Sequence, residues 1–72
     1  MNLQENVARN FRVMLAERRI KKSELSKVTG LSRNTLTTLS SGNAKMIQFE
    51  TIEKVAKAID VEPYELFETK KD

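Results

Sequence analysis

The chain contains no cysteine and no histidine. Without cysteine there is no disulfide framework, and an oxidising compartment is not needed. Without either residue the zinc-finger ligand sets are excluded. The serines have no visible base to activate them. Glycine and proline are scarce, two and one respectively, and no glycine-rich phosphate loop can be drawn. No pair of carboxylates falls among the core-forming residues. Catalysis is therefore not expected, and neither are a cofactor, a metal or a small-molecule substrate. No apolar run approaches the ~20 residues of a membrane span, and the N-terminus lacks the apolar core of a signal peptide. These absences predict a soluble, cytoplasmic protein with no membrane partner. Seventy-two residues allow one domain with one small core, marginal unless close packing or a partner helps it.

The net charge of +3 is unevenly spread. Residues 1–17 are neutral, 18–48 carry seven basic residues against the single acid Glu24, and 49–72 carry seven acids against four bases. A basic middle beside an acidic end suggests one face for a polyanion and another turned away from it. A solvated surface of uneven charge would look the same by composition alone, so the pattern within the basic block has to decide.

The periodicity predicts an all-α chain of five helices, over about 3–19, 23–29, 32–41, 49–59 and 63–67, in one domain spanning 1–72. In the first helix Val7, Phe11 and Met14 or Leu15 form the apolar stripe. Arg9 and Arg12 read as solvated helix charges, and Ile20 as core. In the second helix Leu25 and Val28 share one face. In the fourth, Phe49, Ile52, Val55, Ala56 and Ile59 form a core-facing stripe. Pro63 suits the first position of the last helix, and the tail 69–72 is expected to fray.

The centre of the chain is Lys21 to Gly42. Gly30 stands where the end of a helix requires a left-handed backbone. Ser32 offers an oxygen to cap the next helix. In that third helix Leu36 and Leu39 point inward, leaving Arg33, Asn34, Thr37 and Thr38 free to point out. Its threonines and serines are mediocre helix formers, a composition not chosen for stability. The outward set is polar and acid-free, as a helix entering the DNA major groove requires. Arg33 can pair with guanine O6 and N7, Asn34 with adenine N6 and N7, and Thr37 and Thr38 can hydrogen-bond or place a methyl against thymine. Ser32 is placed at the cap or on a phosphate.

The ordered set Glu24-Leu25-Ser26, Thr29-Gly30-Leu31-Ser32, Thr35-Leu36, Leu39, Gly42, Thr51-Ile52, Val55-Ala56-Lys57-Ala58, Val61 and Leu66 resembles the helix-turn-helix family of phage repressors and Cro proteins, also called XRE-type. The likeness runs from about Phe11 to Phe67. It implies a five-helix, lambda-repressor-like DNA-binding domain and a Cro-like transcriptional regulator, small and of phage type. It also implies that Arg33, Asn34 and Thr38 read bases. Lys21 or Lys22, at the start of the second helix, would meet a phosphate, and so would Asn43, Lys45 and Gln48 in the loop after the third. One recognition helix reads few base pairs, so a homodimer on an inverted repeat is expected. In the family such dimers pair through the segment after the fourth helix, which makes Val61, Tyr64 and Phe67 candidates.

Three departures stand out. Leu15 and Ser40 occupy positions where many members pair an arginine with a glutamate. Losing both leaves no buried charge alone, and the change suggests more apolar surface near the end of the third helix. Met46 and Ile47 replace a polar residue and a proline, and Asp60 replaces a helix-ending glycine. An apolar patch at Met46 and Ile47 opens an alternative, a modulator that binds a partner repressor protein and masks its DNA-reading face.

Overall fold

The computed structural model describes residues 2–69. Five helices are present among them and no strand: α1 (Leu3–Arg18), α2 (Lys22–Thr29), α3 (Arg33–Ser41), α4 (Phe49–Ala58) and α5 (Pro63–Phe67). Of the tail expected to fray, Thr69 is exposed and outside any helix; residues 70–72 lie outside the described part. Helix α1 packs on α3 and α5, α2 on α3 and α4, and α4 on α5. The core gathers Val7, Phe11, Met14 and Leu15 of α1, Leu25 of α2, Leu36 and Leu39 of α3, Ile52, Val55 and Ala56 of α4, and Ile59 and Leu66. Ile20, Ile47 and Val61 pack against it while half-buried.

Each helix begins and ends on a local signal. Asn2 caps α1 by accepting from the Glu5 N–H at 2.9 Å. Glu24 and Glu65 reach back to the backbone N–H groups of Lys21 and Glu62 at 3.2 and 2.7 Å, which satisfies orphan donors at the starts of α2 and α5. Pro63 opens α5, where its missing N–H costs nothing. Asp60 ends the α4 region with φ +59°, so the left-handed position is kept although the glycine is not.

Two stripe residues fall outside the core. Val28 is 74% exposed and Phe49 is 88% exposed. In α2 the partly buried Lys22, Ser26 and Thr29 all lie on the other side of Leu25 from Val28. In α4 buried Thr51 joins Ile52, Val55, Ala56 and Ile59, and Phe49 stands roughly 80° around the helix from the centre of that stripe. Both residues sit in terminal turns, where helical spacing does not decide which edge of the stripe is covered.

Helix α1 also contributes polar grips. Asn6 and Asn10 are buried. The Asn10 amide donates to the carbonyls of Leu66 and Glu68, each at 2.8 Å, and the Asn6 amide to those of Phe67 and Glu68, each at 3.0 Å. These carbonyls belong to the end of α5, where no intrahelical donor remains. Asn10 Oδ1 has no partner among the described residues.

Candidate nucleic-acid interface

Sequence and geometry meet in the turn between α2 and α3. Gly30 takes φ +77° and its N–H donates to the Ser26 carbonyl at 2.9 Å. A Cβ there would meet no atom within 4 Å, so the backbone conformation is what calls for glycine. The Ser26 hydroxyl donates to the Leu31 carbonyl at 2.6 Å, and Thr29 Oγ1 donates to the Leu25 carbonyl and accepts from the Leu31 N–H. Ser32 Oγ accepts from the Thr35 N–H at 3.1 Å and lies 2.8 Å from Thr35 Oγ1. Ser32 therefore caps α3. The turn is cross-linked on both sides of Gly30, which fixes the angle at which α3 leaves α2.

Helix α3 presents Arg33, Asn34 and Thr37 exposed and Thr38 half-buried, over buried Leu36 and Leu39. Its two flanks differ. Arg33 stands beside an open basin of about 490 Å³ that also takes Arg12, Lys21 and Lys22, with Leu15 and Ile20 behind them. Four cations meet there, one each from α1, α2 and α3 and Lys21 just before α2, and no acid lines the basin. Asn34 and Thr38 stand on the other flank, in a cleft of about 360 Å³ shared with Met46, Ile47 and Gln48 of the following loop. The Thr38 hydroxyl donates to the Asn34 carbonyl at 2.9 Å, and its oxygen keeps acceptor capacity.

The loop residues Asn43 and Lys45 are exposed, and the Asn43 N–H is tied to Ser41 Oγ at 3.2 Å. Gln48 precedes α4 as its N-cap without a side-chain capping bond, leaving its amide to the solvent side. Met46 is 87% exposed at the rim of the cleft, while Ile47 packs on the core. Val61 lies half-buried in a separate hollow with Glu53, Lys57 and Pro63. Tyr64 and Phe67 are both exposed, Phe67 less so. The five apolar interface candidates therefore do not form one patch.

Arg12 is a residue that sequence reasoning set aside. Its guanidinium donates to the Ser40 carbonyl at the end of α3. Nearby, the Ser40 and Ser41 hydroxyls donate to the Thr37 and Thr38 carbonyls, and Gly42 ends the helix with Glu5 and Ala8 of α1 against it. Leu15 and Ser40 are themselves buried. Leu15 thus adds no exposed apolar patch at the end of α3, and an arginine braces this end through a backbone carbonyl instead of a carboxylate.

The family of the Cro/C1-type HTH (helix-turn-helix) DNA-binding domain matches residues 10–72. The chain belongs to this family. Its members are DNA-binding transcriptional regulators that bind double-stranded DNA, not a class of enzymes. The chain is also similar to an uncharacterised HTH-type transcriptional regulator, YozG, of Bacillus subtilis (strain 168). The two are 36% identical over 63 residues, 88% of this chain and 75% of that relative. No solved structure matches. Among the described residues of this Cro/C1-type chain, no helix is long and apolar enough to cross a membrane.

Proposed function

We propose that this chain is a sequence-specific regulator that reads the major groove with α3 and acts as a dimer on an inverted repeat. The observation that carries the reading is the exposed, acid-free outer face of α3, set between a basin of four cations and a cleft of mixed polar and apolar lining. Arg33, Asn34 and Thr38 read bases, with Thr37 beside them. Lys21, Lys22 and Arg12 hold one phosphate strand at the basin. Asn43, Lys45 and Gln48 hold the backbone on the loop side. Ser32 is spent on capping and contributes through the helix it fixes.

The test is selection of bound duplexes from a random pool at near-physiological salt. Enrichment of an inverted repeat supports a sequence-specific dimer, and retention without a consensus removes the reading. On the selected site, Arg33→Ala is expected to cost about 1–3 kcal/mol and to relax one base pair. Equal weakening on all sequences would instead make Arg33 a phosphate clamp of the basin.

One observation favours a second reading. Met46 stands almost wholly in water beside Asn34 and Thr38, as an apolar anchor for a partner repressor protein would. Complex formation of that kind depends little on salt, whereas DNA binding weakens steeply as counterions compete.

A further inference from the structure

The loop between α3 and α4 is pinned on both sides of one apolar residue. Ala44 is buried and Ile47 packs on the core, while Met46 between them stands 87% exposed. A long apolar side chain held out in this way forgoes the burial that drives the rest of the fold. Met14, by contrast, is part of the core. The stability of the domain therefore does not account for a methionine at position 46.

The surroundings of Met46 are chemically particular. It lines the α3 cleft with Asn34 and Thr38, and no charged side chain among the described residues lines that cleft. Positive charge for phosphates is gathered on the other flank of α3. Within the cleft the other exposed residues are Asn34 and Gln48, both polar, so Met46 is not set in the apolar patch that the core of a protein interface needs. An amide, a hydroxyl and one apolar side chain match the edge of a base pair instead. In the major groove the apolar group of that edge is the thymine C5-methyl.

We infer that Met46 is a specificity-determining residue of the DNA-reading surface, taking a thymine methyl at or beside the base pair that Asn34 reads. The inference rests on the major-groove reading above and adds to it a residue outside α3. An adenine engaged by Asn34 through N6 and N7 has a thymine opposite it, and the methyl of that thymine lies in the same groove. Asn34 and Met46 share one flank of α3, so the pair that occupies the first brings a methyl to the second. An unbranched, polarisable thioether chain adapts to such a small apolar target.

The test measures binding of the full chain to its selected duplex with each thymine replaced in turn by uracil, which lacks only the methyl. For the parent, uracil at one position of a half-site should weaken binding by about fourfold, the worth of one buried methyl. Met46→Ala should bind the thymine duplex at least about fourfold more weakly than the parent, with an unchanged melting temperature. It should also be indifferent to uracil at that position, since both changes remove one contact. Met46→Leu should keep the sensitivity and Met46→Gln should lose it. Selection repeated with Met46→Ala should relax that base pair and retain the one that Arg33 reads. Uracil sensitivity that is the same in the parent and in Met46→Ala at every position overturns the inference, as does a selected half-site without a thymine. So does a Met46→Ala chain that binds every duplex as the parent does, the result expected if Met46 serves a partner protein. The two readings fail distinguishably. A consensus that Arg33→Ala relaxes and no change at Met46 touches removes the role of Met46 alone, whereas the absence of any consensus removes both.

Discussion

Helix α1 holds two other helices by the same chemistry, in opposite surroundings. Its N-terminal half aims the amides of Asn6 and Asn10 at the last carbonyls of α5, and its middle aims the guanidinium of Arg12 at the last turn of α3. The donors of the first grip, Asn6 and Asn10, are buried, whereas Arg12 is exposed and lines the basin, although the Ser40 it holds is buried. Cutting back a buried side chain leaves a cavity as well as lost hydrogen bonds, whereas water takes the place of an exposed one. The α5 grip therefore contributes mainly to stability. The α3 grip contributes mainly to the direction in which the recognition helix points.

The largest effect should follow from breaking the buried grip. Asn10→Ala leaves the Leu66 and Glu68 carbonyls short of a donor and should cost about 2–3 kcal/mol in urea unfolding. A loss no larger than that of an exposed polar residue would mean that the amide adds little to α5. Arg12→Ala should cost only about 1 kcal/mol of stability. Its distinctive effect is on binding: the ratio of specific to non-specific DNA affinity should fall. If Arg12 were only a phosphate contact, both affinities would fall together and the salt slope would shrink by about one. The smallest effect is expected at the end of α4, which neither grip touches. Asp60→Gly relieves a left-handed backbone and should add roughly 0.5–1 kcal/mol, read as a higher melting temperature. A gain there with unchanged DNA binding sharpens the contrast, since it raises stability without touching the orientation of α3.

The helix-turn-helix was legible because its signals are local. Gly30 and Ser32 are fixed by backbone geometry and capping within a few residues, and Leu36 and Leu39 lie mid-helix, where spacing decides burial. Val28 and Phe49 were misread because terminal turns have neighbours on one side only. The two asparagines were missed because the stripe of α1 was sought among apolar residues. Asn6, Val7, Asn10, Phe11 and Met14 share one helical face, and a pair of asparagines four apart inside that face was a signal available in the sequence. Arg12 left no such mark. Its partner is a backbone carbonyl 28 residues away, and no residue type advertises a carbonyl. The basin was half visible as a charge block, but only packing brings Arg12 to Arg33, Lys21 and Lys22.

The grip of α1 on α5 joins residues 56 to 62 positions apart. During synthesis the first helix waits until Leu66, Phe67 and Glu68 have emerged, because Asn6 and Asn10 need their carbonyls. Loop closure over that distance cannot be replaced by local contacts. A ribosome that stops before Leu66 releases a product with an open core and two unanswered amides, which a protease can distinguish from the folded domain. The core of this domain thus closes only once the end of α5 has been made.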